Sequence, residues 1–509
     1  MEKRVFLNLD TDCSGYSYLN YLEKYDIPVN KETLSPFIDG YKKAGVTDFL
    51  INSFGQLAMC ESEVFYDSID KYNEEYENGI KVNYKDWYRG MHNALVNYGV
   101  NPFKTWIDRC REVGINPWLT MRMNDCHFPD KEVSFVRSDF FYKAKEKGWL
   151  IGEDYGYFHY CYNYAVPEVY ETMLKFIKEQ LLKYDVYGFE MDFMREIYCF
   201  PYREMPECYK IMNNFVRDVK KIIKETEIKH GHEIKLAARV TRDIEQSKVF
   251  GFDVRTWVKE KLVDVLVPSP RFDTCDTDIP IDEWVKEFPE TDICAGIENY
   301  IVRPDTRCHN TVETVRGIAV KYLTMGAKSI YLYNYFFADL PDKSEEFNMQ
   351  RTCEIIKTCT DLETATKLPY RFIVTYQEDW ICPKGFERYN PLPIKLEGGE
   401  KKLPVNLAYI PENAEVNLFI GTKNIDIEKL QVTADGEVLG DSVSEFPKPS
   451  NDLSKGYLTD GTFLPDGSTP FKYSLKAKKD GKYNLGFKYN ENSLNAEIDY
   501  IEIEVIPKE

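Results

Sequence analysis

Eight short apolar segments, separated by helical patterns, constrain this chain more than any other feature. They fall at residues 5–9, 48–52, 117–121, 187–192, 235–240, 263–268, 293–297 and 329–333. Most are apolar on both faces, as parallel strands covered by helices must be. Between them, Leu34, Phe37, Ile38 and Tyr41 recur at helical spacing, as do Val169, Met173, Phe176, Ile177 and Leu181. Val312, Val315, Ala319 and Tyr322 form a third stripe, opened by Asn310 with Glu313 three residues later and closed near Gly326. Eight strand–helix units in about 340 residues predict an α/β fold, a (β/α)8 TIM barrel with enlarged loops. A doubly wound open sheet is the alternative, but no Gly-rich phosphate loop follows the first strand.

After about residue 362 helical periodicity fades. Residues 416–420 and 430–433 look like strands, with Asp435-Gly436 as a hairpin turn. Near the end, Ile501, Ile503 and Val505 alternate with Glu502 and Glu504, the pattern of a half-solvated strand. These features predict a barrel over residues 1–361 and a C-terminal all-β, sandwich-like domain over 362–509. A length of 509 residues suits one large domain with a smaller companion.

The net charge of −19 argues against a nucleic-acid partner, which needs basic patches. No stretch of 18 apolar residues occurs, so no membrane span is expected. The 13 cysteines are odd in number and lack close metal-type pairs, and the N-terminus carries no signal-peptide pattern. Reduced thiols and a cytoplasmic location are the expectation. No cofactor or metal is expected, and homo-oligomer formation stays open.

In a (β/α)8 barrel, catalytic groups stand at the C-terminal ends of the strands. Asp10 and Asp12 follow the first strand, and Asn52 ends the second. Arg122, Asn124, Asp125 and His127 follow the third. The fourth, in YGFEMDFMRE, carries Glu190, Asp192, Arg195 and Glu196. The fifth brings Arg239, the sixth Ser269, Arg271 and Asp273, the seventh Glu298, and the eighth Tyr331, Tyr333 and Asn334. One polar strand end is ordinary, whereas eight in succession point to a functional pocket. Its inventory is acids, arginines, amides and aromatics, with neither a Cys/His zinc cluster nor a Gly-x-Ser-x-Gly elbow. Paired carboxylates in such a cleft suit glycoside cleavage: one protonates the leaving oxygen, and the other attacks carbon or activates water.

The run 162–196 resembles the glycosyl hydrolase-like 10 group through Asn163, Pro167-Glu168-Val169, Tyr184-Asp185-Val186, Gly188, Asp192 and Arg195. Tyr187 and Glu196 depart from the group's pattern. The resemblance implies a (β/α)8 glycosidase. The Asp-x-x-Arg strand end is also similar to the nucleophile strand of some retaining α-glycosidases. Asp192 is thus the expected nucleophile or base, held ionised by Arg195. Glu298 stands on the seventh strand, a place similar to that of the nucleophile in the large clan of retaining barrels.

Asp125 is the candidate proton donor. Asp10, Asn52, Arg122, Asn124, His127, Glu190, Arg195, Arg239, Tyr333 and Asn334 are candidates for substrate binding, with Glu190 one layer deeper as an arginine's partner. Asp273, Asp276 and Asp278 imitate part of a calcium loop but lack its glycine and terminal Glu. Two other functions fit the same residues. One is a divalent-metal sugar isomerase, epimerase or lyase using Asp192, Glu190, His127 and Glu298 as ligands. The other is a carbohydrate-binding protein on a barrel without turnover.

Overall fold

A computed structural model describes residues 4–10, 18–19, 21–22, 25–65, 75–77, 80–82, 98–127, 137–201, 205–271, 274–302, 307–335, 344–376, 390–444, 464–490 and 495–508. Eight parallel strands close a barrel in sequence order. They are β1 (Val5–Leu9), β2 (Asp48–Asn52), β3 (Asn116–Arg122), β4 (Gly188–Asp192), β5 (Lys235–Val240), β6 (Val265–Pro268), β7 (Asp292–Glu298) and β8 (Ser329–Tyr333). All eight predicted strands are present, with boundaries displaced by at most two residues.

The helices form where the apolar stripes fall. In α1 (Lys31–Ala44), Leu34, Phe37, Ile38 and Tyr41 are buried. Asn30 and Thr33 make a reciprocal cap at its start, and Gly45 ends it with φ of 110°. In α2 (Pro167–Lys183), Val169, Met173, Phe176, Ile177 and Leu181 face the barrel. The stripe at 312–322 becomes α3 (Val312–Thr324), whose cap is Thr311, bonded to the Thr314 amide. Asn310, the expected cap, turns inward instead and donates to the Glu298 carbonyl at 2.6 Å.

Two antiparallel sheets follow. The first runs β9 (Tyr370–Ile373), β15 (Glu497–Ile506), β11 (Glu415–Lys423), β13 (Thr469–Leu475). The second runs β10 (Lys401–Asn406), β14 (Lys482–Tyr489), β12 (Leu430–Ala434), then the short strand Glu437–Val438. Asp435 and Gly436 both take positive φ, the signature of a type I′ hairpin turn. The apolar faces of the two sheets share one core containing Ile501, Ile503, Val505, Leu485 and Phe487.

The opposite face of the first sheet is not solvated, which corrects the expectation for β15. Tyr500, Phe419 and Ile373 join the barrel's hydrophobic cluster, and Glu502 is buried against Arg371. Helix α3 is the joint. It is buried almost all round, as a helix sandwiched between two layers must be. Gly317 packs directly on the backbone of Arg371 in β9, where a Cβ would collide with the carbonyl. No helix among the described residues is long and apolar enough to cross a membrane.

Candidate functional site

The inside of the barrel is layered because every second strand residue points inward. Its floor is apolar, with Phe6, Leu50, Trp118, Val265, Val267 and Cys294 in one cluster. Gly188 opens β4 onto this floor, since a Cβ there would overlap the Trp118 ring.

Above the floor lies a ring of neutral polar groups around one acid. Register places Thr120 beside Glu190 and Glu190 beside Ala237. The Glu190 Oε1 accepts from Thr120 Oγ1 at 2.7 Å, Tyr331 Oη at 2.8 Å and Asn8 Nδ2 at 3.0 Å. Its Oε2 is buried and makes no hydrogen bond among the described residues. Burial, followed by the neighbouring Asp192 charge, pushes this carboxyl up to about 7. The expected arginine partner is therefore replaced by neutral donors.

One layer higher, register aligns Arg122, Asp192 and Arg239 on β3, β4 and β5. The Arg239 guanidinium bridges two carboxylates, Asp192 at 3.2 Å and Glu298 at 2.8 Å. It stacks over the Tyr333 ring at 4.0 Å and donates to Ser269 Oγ at 3.0 Å. All of these groups are buried. Burial works against the charge on Arg239, but Asp192 and Glu298 hold its affinity for the proton above the ordinary arginine value. Burial also drives the Tyr333 hydroxyl up to about 12.

Charges continue toward the rim. Arg122 donates to Asp10 at 2.8 Å and to Asp125 at 3.0 Å. Asp125 also meets the His127 ring and accepts from the His127 amide at 3.1 Å. Burial would raise the Asp125 carboxyl, yet His127, Arg195 and Arg122 hold it well below the usual range. Arg195 contacts His127 at 3.1 Å and Glu196 at 2.8 Å. Glu196 is also held by Arg271 at 2.8 Å and Tyr157 at 3.1 Å. The side chains of Asp10 and His127 keep 17% and 23% of their surface exposed, so this edge of the cluster meets solvent.

The structure thus brings Asp10, Arg122, Asp125, His127, Asp192, Arg195, Arg239, Glu298 and Tyr333 into one charged layer at the barrel mouth. Three expectations change. Asp192 is paired by Arg239, the residue opposite it in register, and not by Arg195, which turns to Glu196 and His127. Asn124 spends its amide on the backbone of Tyr162 and Tyr198, so it braces the loop and has no group left for a sugar. Asn334 has a left-handed φ of 59° and accepts from the Asp10 amide, tying the ends of β8 and β1. Asn52 is buried at the end of β2, where its side-chain oxygen accepts from the Phe54 amide at 3.4 Å.

Asp12 and Asp273 lie outside the described residues. The carboxylates of Asp276 and Asp278 are taken by Arg242 at 2.7 Å and Lys321 at 2.7 Å, which removes the calcium-loop reading. Guanidinium groups also stand where a metal would bridge Asp192 and Glu298. Among the described residues no three His, Cys, Asp or Glu side chains gather in a metal-holding arrangement.

The sequence reading missed Asn8, Thr120 and Tyr157. Asn8 and Thr120 each sit two residues before a strand-terminal polar residue, so they share its inward face. That spacing is the signal that could have found them.

No family model matches the sequence, the glycosyl hydrolase-like 10 group included. No curated protein sequence matches either. Among solved structures, the chain is similar to an α-amylase of Anoxybacillus, at 10% identity and a TM-score of 0.39, over 97% of this chain and 99% of that one. It is similar to the glycoside hydrolase domain of PgaB from Bordetella bronchiseptica, at 10% identity and 0.41, over 71% and 99%. It is also similar to the α-L-fucosidase AlfC from Lactobacillus casei, at 11% identity and 0.36, over 69% and 94%. Superpositions this loose add nothing about chemistry, and the functional reading rests on the side chains themselves.

Proposed function

We propose that this protein is a glycoside hydrolase acting on a small oligosaccharide or glycoside. Residues 1–361 are the catalytic unit, and residues 362–509 brace it. The observation that carries the reading is the Asp192–Arg239–Glu298 bridge standing directly over a carboxyl pushed toward neutrality, Glu190. Carboxyls whose environments drive their proton affinities apart are the raw material of acid–base chemistry on glycosides.

Asp192 is the nucleophile or base. Arg239 keeps it charged, and Glu190, by holding a proton, spares it a competing charge one layer below. Glu298 is the second carboxyl. Two carboxylates on one guanidinium are separated by no more than that group and two hydrogen bonds, roughly the span glycoside cleavage uses. Asp125, held ionised, anchors Arg122 and His127 in place of the proton-donating role first given to it. Asp10 and His127, on the exposed edge, contact sugar hydroxyls.

A panel of α- and β-linked nitrophenyl glycosides tests the proposal, with EDTA and Asp192→Asn as controls. Release that survives EDTA and collapses in the variant supports it. Release lost to EDTA favours a metal-dependent enzyme. Sugar binding by calorimetry without turnover, equal in wild type and Asp192→Asn, favours a binding protein.

A further inference from the structure

Two cysteines meet beside the site in a way the proposed chemistry does not use. Cys126 lies between Asp125 and His127 on the loop after β3, and Cys161 closes the segment Glu153–Tyr160. Their sulfurs are 3.3 Å apart, and both residues are fully buried.

The two backbones are already clamped next to the sulfurs. Asn124 Oδ1 accepts from the Tyr162 amide at 2.8 Å, and its Nδ2 donates to the Tyr162 carbonyl at 3.1 Å. A bond length of about 2.05 Å therefore requires the sulfurs to close by little more than one ångström, within reach of side-chain rotation.

We propose that Cys126 and Cys161 are a disulfide-forming pair, with a small-molecule disulfide such as oxidised glutathione as the oxidant. The thiolate of one cysteine attacks a sulfur of the oxidant and releases one glutathione thiolate. The thiolate of the other then attacks the mixed disulfide, forms the Cys126–Cys161 bond and releases the second glutathione. Two protein thiols are oxidised, one glutathione disulfide is reduced to two thiols, and the two cysteine protons leave to solvent.

Burial pushes both thiols up, so neither is a ready thiolate in the folded protein. The bond accordingly forms while the two segments dock during folding, and the folded barrel then shields it from reductant. Once closed, it fixes the loop that carries Asp125 and His127. The pair also qualifies the expectation of wholly reduced thiols: this one site registers the redox poise in which the chain folds.

The test is to refold the reduced full chain across a series of oxidised-to-reduced glutathione ratios. Samples are acid-quenched, alkylated and digested, and the peptides are read by mass spectrometry. A peptide linked through Cys126 and Cys161 is expected at oxidising ratios, with the other eleven of the 13 cysteines alkylated. The bridged protein should melt roughly 3–6 °C higher than the reduced form, a difference abolished in Cys161→Ala. Alkylation of both cysteines at every ratio overturns the proposal, as does pairing of either with a different cysteine. The peptide map on the wild-type chain decides the matter even if the variant does not fold.

Discussion

The molecule buries arginine–carboxylate clusters in two places, and only one of them looks like a site. In the sandwich, Arg371 on β9 meets Glu502 at 3.5 Å and Glu504 at 3.4 Å on the adjacent strand β15. Burial pushes the Glu502 carboxyl up while Arg371 pulls it down. This cluster joins neighbouring rungs of one sheet and needs nothing beyond that sheet. In the barrel, Arg239 on β5 gathers a carboxylate from β4 and another from β7, across the interior. Beneath it, Glu190 has only neutral hydrogen-bond donors. A buried charge pair is therefore weak evidence of function. Convergence from separated strands, with one acid left to keep its proton, is the stronger sign.

Four experiments sharpen or break that contrast. Asp192→Asn should lower kcat/KM about 10³-fold, whereas Glu502→Gln should leave it within about twofold. Equal losses would erase the distinction. Next, Arg239→Met and Arg371→Met each strand buried carboxylates, and urea unfolding should register a loss of about 3–5 kcal/mol for both. Only the first should also abolish turnover.

The pH dependence comes third. The Glu190 carboxyl titrates near 4.5 when unfolded and at about 7 when folded. Between those values the folded state binds more protons, so stability falls as pH rises through that window, by at most about 3 kcal/mol. Glu190→Gln should remove that slope; a slope that survives assigns it to other groups. Smallest, Gly317→Ala should cost about 1–3 kcal/mol by forcing α3 off β9, leaving the mouth chemistry intact. A parallel loss of kcat would show that the two regions are mechanically coupled.

The barrel was readable because parallel strands buried on both faces leave continuous apolar runs, and the helices between them repeat at 3.6. The charged strand ends were readable for the same reason: once strands are placed, their C-termini follow. What could not be read was pairing across strands. Arg195 is three residues from Asp192 and looks like its partner, yet register places Arg239 opposite. Depth was equally hidden, since alternation says that Asn8, Thr120 and Glu190 point inward but not which ring they enter. Glu502 failed differently. Its alternating strand predicts water on one face, and only the docking of the barrel on that face says otherwise.

Helix α3 belongs to the barrel by sequence order, but its Val320 lies in the sandwich core and its Arg316 donates to the Pro369 carbonyl. Thr277, in the loop after β6, donates to the Ile373 carbonyl, and Lys321 sits over the Phe372 ring. Such a helix is common property, and common property resists division. A gene cut after residue 361 should yield a chain that aggregates, because the cut strips one wall from a helix with no polar face to show. The same sharing restricts recombination: neither half can be exchanged for a foreign counterpart unless the helix and the strand lying on it move together.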